Sequence, residues 1–140
     1  MAVSPHRSVV LFNKGQVLAL VASGISLWAG AAWLLGTIAP LGWVDGGPRP
    51  WAYALTFAGT WPAVLLVVRV ARLQTGQVVA GVALVTLVAL FIDGVVFGWT
   101  PQLYAAPARQ LACAALVLWG AGCGLALAFV HEWLGARRPA

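Results

Sequence analysis

Four long apolar runs occupy most of this chain, and they leave room for few folds. Each run has about twenty residues, the length of helix that crosses a hydrocarbon core of about 30 Å. Because lipid offers no hydrogen-bond partner to the backbone, such a segment must satisfy its own polar groups as a helix. We therefore expect an all-α, polytopic membrane protein, an up-down bundle of four transmembrane helices, with spans at about 17–38, 51–70, 78–97 and 110–130.

The composition agrees with this class. Hydrophobic residues make up 62% of the 140 residues and charged ones 8%, whereas a soluble domain is about one quarter charged. The net charge is +5, but the Lys and Arg residues are scattered between the apolar runs and form no basic stripe. We expect membrane lipids as partners and no nucleic acid.

The positions of the cations predict the orientation. Six of the eight lie in the amino-terminal segment, the turn between runs two and three, and the carboxy-terminal segment. Positive residues favour the cytoplasmic side. The prediction is a cytoplasmic leader at 1–16, a transmembrane domain at 17–130 and a basic cytoplasmic tail at 131–140. The Ala-, Val- and Gly-rich composition fits the inner membrane of a bacterium.

The first run has a competing interpretation as a secretory signal peptide. Ala29, Gly30 and Ala31 are small residues of the kind found at cleavage sites. The run continues apolar through Leu35, which favours a retained span.

Asp93 is the carboxylate embedded in an apolar run. A charge in hydrocarbon is costly and needs a partner or a use. The partners that the sequence offers are Arg109, Gln110 and the hydroxyl of Tyr104. We expect an Asp93–Arg109 clasp that fixes the loop between spans three and four. The alternatives are a proton- or cation-binding site and a helix that ends early at Gly94.

Small residues recur at four-residue spacing on two spans, a pattern that lets helices approach closely. We expect these ridges to pack together inside one bundle; the alternative is a homo-oligomer interface. The ridge residues are Ala22, Ser26 and Gly30 on span one, and Gly120, Gly124 and Ala128 on span four.

Tryptophan falls both at the ends of the spans and near their middles. Rings at the ends are typical of the membrane interface, and those in the middle are expected to fill the core. The alternative is an aromatic pocket for a lipid or an apolar ligand. The mid-span residues are Trp28, Trp61 and Trp119; those at the ends are Trp43, Trp51, Trp99 and Trp133.

The remaining reactive side chains predict no site. Cys113 and Cys123 are ten positions apart, about 15 Å along a helix, so they do not pair and are expected to pack in the core. His131 and Glu132 are adjacent and point to different faces of a helix. We expect them at a solvated end of span four, with no metal and no cofactor.

The second half of the chain contains three short motifs, which are Asp93-Gly94, Trp99-Thr100-Pro101 with Leu103-Tyr104, and Leu118-Trp119-Gly120-Ala121-Gly122. It resembles an uncharacterised bacterial family of small four-helix integral membrane proteins. The similarity covers about half the chain, so it implies the topology and no activity.

No catalytic motif is evident in the sequence. A Gly-rich phosphate loop, a Ser-His-Asp set and a His-Glu-x-x-His helix are all missing from it. We expect a non-enzymatic membrane subunit that self-associates or docks on a larger complex. The alternatives are a small oligomeric proton- or cation-linked transporter or channel that uses Asp93, and binding of a lipid or an apolar ligand between helices.

Overall fold

The computed structural model describes residues 11–137. This part of the chain forms four long helices and no strand. Each helix is long and apolar enough to cross a membrane, so the prediction of an all-α protein with four membrane-type helices is confirmed. The helices are α1 (Lys14–Ile38), α2 (Arg49–Val70), α3 (Val78–Trp99) and α4 (Gln110–Ala136).

The ends of two helices differ from the predicted boundaries. Helix α1 begins at Lys14, inside the segment predicted as a leader, and residues 1–10 of that leader lie outside the described residues. Helix α4 continues to Ala136, so the first part of the predicted tail is helical. Residues 138–140 lie outside the described range.

A capping box sets the start of α1. The side-chain oxygen of Asn13 accepts from the backbone N–H of Gln16 at 2.8 Å, and the backbone N–H of Asn13 donates to the side chain of Gln16 at 3.0 Å. This reciprocal pair satisfies donors that an uncapped helix leaves free. The polar residues before the first apolar run therefore fix where the helix begins.

The helices do not pack in the order of the chain. Helix α1 packs mainly on α3, α2 packs mainly on α4, and α3 and α4 pack on each other. The contact between α1 and α2 is slight, although a short loop joins them. An open seam between α1 and α2 follows from this arrangement.

The buried side chains form two clusters. The first core cluster comprises Leu20, Val64, Val67, Ala71, Leu73, Val78, Val82, Val85, Leu127 and Ala128. The second core cluster comprises Ala32, Leu35, Ala39, Val44, Ala52, Tyr104, Ala105, Cys113 and Leu116, so it includes residues of both the α1–α2 and the α3–α4 loop. Both cysteines are buried free thiols, in accord with a packing role.

The ridge on α4 packs against α2. A Cβ atom added at Gly120 would lie 3.3 Å from the methyl group of Thr56, and one at Gly124 would lie 3.6 Å from that of Thr60. Ala128, the third member of the ridge, is fully buried. The small residues of this ridge therefore allow the close contact between α4 and α2 that their spacing predicts.

The ridge on α1 faces away from the bundle, which corrects the expectation that the two ridges pack together. Ala22, Ser26 and Gly30 are all exposed. The close approach of α1 to α3 uses Gly24 instead, where an added Cβ would lie 2.9 Å from the carbonyl oxygen of Val85. Gly24 and Gly30 lie on different sides of α1, about 120° apart around its axis, because six residues correspond to about 600° of helix rotation.

Candidate functional site

A chain of two hydrogen bonds joins Trp28, Tyr104 and Asp93. The indole Nε1–H of Trp28 donates to the hydroxyl oxygen of Tyr104 at 2.9 Å, and the Tyr104 hydroxyl donates to the Asp93 carboxylate. The three side chains come from α1, the α3–α4 loop and α3. Tyr104 is fully buried and Asp93 is 8% exposed. This polar connection, named here the Trp28–Tyr104–Asp93 chain, therefore lies inside the bundle.

The α3–α4 loop places Tyr104 in the core. Two short 3₁₀ turns, Pro101–Leu103 and Pro107–Arg109, each begin with a proline and fold the loop back on the helices. The ring of Tyr104 stacks on Phe97 with a centroid distance of 4.2 Å and an interplanar angle of 8°. Since the ring is held on one face and its hydroxyl is bonded, the side chain is fixed in position.

The hydroxyl of Tyr104 is a permanent donor at neutral pH. Burial raises the pKa of Tyr104 above its ordinary value, and the hydrogen bond to Asp93 raises that pKa further. Removing the proton would place a phenolate beside the Asp93 carboxyl group in apolar surroundings. The proton therefore stays on the Tyr104 hydroxyl, which donates a hydrogen bond to Asp93.

Arg109 pairs with Asp45, and the expected Asp93–Arg109 clasp is not formed. The Nη2 atom of Arg109 lies 2.8 Å from Oδ2 of Asp45, and its Nε atom lies 3.1 and 3.0 Å from the two carboxylate oxygens. Asp45 belongs to the α1–α2 loop and remains 45% exposed. The pairing leaves the guanidinium in contact with water, whereas a bond to buried Asp93 would desolvate it.

Gln110 also helps to hold the α3–α4 loop in place. Its side-chain amide donates to the carbonyl oxygen of Ala105 at 3.2 Å. Of the four residues predicted to form one polar site, the structure brings Asp93 and Tyr104 together. It places Arg109 and Gln110 in contacts that hold the segment carrying Tyr104.

Trp28 is the member of the site that the sequence did not connect with Asp93 and Tyr104. Its position near the middle of an apolar run predicted a ring in the core, and it packs against the second core cluster. The signal that could have found it is the indole N–H, which needs an acceptor when it is buried. Tyr104 supplies that acceptor.

The three mid-span tryptophans do not come together. Trp28 packs with the second core cluster, whereas Trp61 packs with the first and faces the ring of His131 at 6.3 Å. Trp119 lies elsewhere, with its indole N–H donating to the backbone carbonyl of Tyr53 at 3.1 Å. A single aromatic pocket built from all three rings is therefore not present in the described part of the chain.

At the opposite end of the bundle, Glu132 caps helix α3. Its carboxylate accepts the backbone N–H groups of Val78 at 2.9 Å and Val79 at 3.3 Å, together with that of Gly76. His131 and Glu132 are partly exposed, as expected for a solvated end, and the carboxylate in addition has specific backbone partners. The first N–H groups of a helix lack partners and carry partial positive charge, which an anionic side chain satisfies.

A set of amide contacts joins the start of α1 to the α2–α3 turn. The side-chain oxygen of Gln77 accepts from Gln16 at 3.3 Å and from the backbone of Gln74 at 3.0 Å. The side-chain nitrogen of Gln77 donates to the carbonyl of Leu11 at 2.6 Å, and that of Gln16 to the carbonyl of Arg72 at 3.4 Å. These contacts and Glu132 place the starts of α1 and α3 and the end of α4 at one end of the bundle.

A scan against models of protein families, a search of curated proteins and a search of solved structures each found no match. The resemblance of the second half to a family of small four-helix membrane proteins stays a prediction. Within residues 11–137, no group of three or more His, Cys, Asp or Glu side chains is arranged to hold a metal ion.

Proposed function

We propose that this chain is a non-enzymatic, multi-pass subunit of the bacterial inner membrane that self-associates through the exposed face of α1. The observation that carries the proposal is the orientation of the small-residue ridge on that helix. Ala22, Ser26 and Gly30 point away from the bundle. A Cβ atom added at Gly30 would meet no atom within 4 Å.

The exposed surface of α1 carries the row of small residues beside bulky side chains such as Leu18, Ile25 and Trp33. The exposed side chains of α3 include the bulky Leu87 and Phe91, which suit contact with acyl chains. A row of Ala, Ser and Gly leaves the backbone open to close approach by another helix. A second copy of the chain supplies the same row, so the two surfaces are complementary by symmetry.

The proposed topology is an up-down arrangement with both termini in the cytoplasm. It is supported by the polar contacts that join the starts of α1 and α3 and the end of α4. The excess of cations at this end favours the cytoplasmic side. Exposed tryptophans near the helix ends suit the two interfaces of a membrane: Trp43, Trp51, Trp99 and Trp133.

Disulfide cross-linking tests the self-association. In a background with Cys113→Ala and Cys123→Ala, Ser26→Cys is introduced and native membranes are treated with an oxidant. We expect a product of twice the monomer mass on a non-reducing gel, because the outer faces of two α1 helices meet.

The matched control is Leu87→Cys on α3. Gly24 lies against Val85, so Ser26 and Leu87 are each two residues further along neighbouring helices and lie at similar depth. We expect little cross-linking from Leu87→Cys. Equal cross-linking at both positions, or none at Ser26→Cys, contradicts the proposal.

A second pair of variants tests whether the exposed face of α1 forms the interface, because a bulky side chain there would block close approach of another helix. Gly30→Leu is expected to convert the oligomer to a folded monomer in detergent, as measured by mass and by retained helical content. Gly122→Leu on α4 is the control, since a Cβ there also meets no atom within 4 Å. A dimer that survives Gly30→Leu assigns the interface to another surface.

The second candidate is a small proton- or cation-linked transporter that works as an oligomer. It is favoured by the engagement of Arg109 with Asp45, which leaves Asp93 without a cationic partner among the described residues. A carboxyl group at this depth with no fixed counter-charge is available to exchange a proton or to hold a cation.

Flux measurements in proteoliposomes with an entrapped pH-sensitive dye distinguish the two candidates. If Asp93 carries transport, Asp93→Asn abolishes pH-dependent flux and leaves the oligomer intact. Asp45→Asn, which removes the carboxylate of the exposed loop, serves as the control and retains flux. Absence of flux from the native chain rejects transport of the ions tested.

A further inference from the structure

An open groove of about 810 Å³ lies between the start of α1 and the end of α2. It exists because these two helices make only slight contact with each other. Part of its wall is apolar, with Leu11, Ala19 and Val70 among the lining residues. Polar side chains, including that of Arg72, line the rest.

Arg72 has an unusual backbone conformation. Its φ angle is +50°, and it is the non-glycine residue with positive φ among the described residues. The backbone N–H of Leu73 donates to the carbonyl of Val68 at 2.9 Å, and that of Arg72 to the carbonyl of Arg69 at 3.2 Å. These are the two bonds of a Schellman motif at the end of α2, in which glycine usually takes the position of Arg72.

An arginine in this position costs stability that a glycine would not, because its Cβ crowds the backbone when φ is positive. Residues held in such conformations occur preferentially at ligand-binding and other functional sites. The guanidinium of Arg72 makes no hydrogen bond or ion pair to any other group of residues 11–137. Arg72 therefore carries a backbone cost, and within residues 11–137 its guanidinium has no partner that would keep it from a ligand.

We propose that this groove binds an anionic phospholipid, with its phosphate on the Arg72 guanidinium and one acyl chain along Ala19 and Val70. The planar guanidinium matches the geometry of a phosphate and binds it through two parallel hydrogen bonds. The apolar wall suits a hydrocarbon chain. The site lies where α1 begins and α2 ends, the level at which lipid headgroups meet a membrane span.

The charge around the groove complements an anion. Lys14 follows the lining residue Asn13 in sequence, and Arg69 precedes the lining residue Val70. The groove has no acidic residue among the described residues that line it. Glu132, the carboxylate at this end of the bundle, is bonded to the start of α3.

Native mass spectrometry of the full-length protein tests the site, with phosphatidylglycerol as the anionic probe and phosphatidylcholine as the zwitterionic one. We expect the native chain to bind phosphatidylglycerol more tightly. Arg72→Asn should weaken that binding roughly fivefold, the effect of one cation at an anionic headgroup. Asn accepts positive φ, so the thermal stability of this variant should match or exceed that of the native chain.

Two further variants distinguish a specific lipid site in the groove from a general attraction of anionic lipid to surface charge. Arg137→Gln removes the same charge from a guanidinium that lies 3.5 Å from the centre of the Trp133 ring on α4, and it should leave phosphatidylglycerol binding unchanged. Ala19→Phe fills the apolar wall without a change of charge and should weaken binding by an amount similar to Arg72→Asn.

Three results would overturn the proposal. The first is native affinity for phosphatidylglycerol in Arg72→Asn. The second is an equal loss in Arg137→Gln, which would indicate surface charge alone. The third is displacement of the lipid by inorganic phosphate with no effect of Ala19→Phe, which would assign the site to free phosphate. The measurement on monomeric ions keeps this test independent of self-association through α1.

Discussion

Arg109 and Asp45 join the two loops at one end of the bundle, with Nη2 of the arginine 2.8 Å from Oδ2 of the aspartate. The bond ties the α1–α2 loop to the start of α4. In the same part of the molecule, the Trp28–Tyr104–Asp93 chain ties α1 to α3 through the other loop. Two polar connections, one exposed and one buried, therefore hold this end together.

The exposed connection should contribute little to stability. Asp45→Asn and Arg109→Gln are each expected to lower the melting temperature slightly in detergent, because water screens a half-exposed ion pair. The coupling between the two substitutions in a double-mutant cycle should shrink in high salt. A large, salt-insensitive coupling would show that the pair is desolvated.

The buried connection should contribute much more. Tyr104→Phe leaves the Trp28 indole without its acceptor and the Asp93 carboxylate without its donor. An unsatisfied buried group costs about 1–3 kcal/mol, so we expect a loss of at least about that size in the free energy of unfolding.

Tyr53→Phe is the matched control for the hydroxyl, since Tyr53 accepts from Trp119 through its backbone carbonyl. Unfolding of both variants in detergent should show a loss in Tyr104→Phe alone. Equal stability of the two variants would mean that water replaces the tyrosine hydroxyl.

Glu132 should stabilise the start of α3 from a distance. Glu132→Ala removes the acceptor from the N–H groups of Val78 and Val79 and should cost about 1–2 kcal/mol, the range for loss of a helix cap. Glu132→Gln keeps an acceptor oxygen and should cost less. Faster hydrogen exchange at these two amides is the direct measurement; native-like protection in Glu132→Ala would show that another group caps α3.

Two glycines of α1 should respond in opposite directions to the same substitution. Gly24→Ala places a Cβ atom 2.9 Å from Val85 of α3 and should destabilise the bundle by about 1–3 kcal/mol. Gly30→Ala meets no atom of its own chain within 4 Å and should stabilise the monomer by about 0.5–1 kcal/mol. Thermal unfolding of both variants in the monomeric form measures both effects, and a loss in monomeric Gly30→Ala would show that Gly30 packs against its own chain.

The helices were predictable because apolar runs of this length have few alternatives. The end of α4 was not, since His131 and Glu132 look like the start of a polar tail. Glu132 is a polar residue inside a helix because its carboxylate accepts hydrogen bonds from backbone N–H groups at the start of α3. These groups are 53 to 56 residues away in the chain. Sequence spacing carries no signal for such a contact.

Only the part of the candidate site that depends on local contacts was predictable from the sequence. Asp93 and Tyr104 are 11 residues apart at the same end of one span, so their contact follows from local geometry. The partner of Arg109 depends on which loops are neighbours, and that depends on the packing of α1 on α3 and of α2 on α4. The sequence identifies the carboxylates, but it does not show which loops are neighbours in the fold.

The packing order also determines when the bundle becomes complete during synthesis. Helices α1 and α2 leave the ribosome before either of their main partners exists. Helix α1 gains its main neighbour only once α3 has been made, and α2 only once α4 has been made. The first two helices therefore lack their main packing partners until the second pair has been made, and the four-helix packing is complete only once α4 exists.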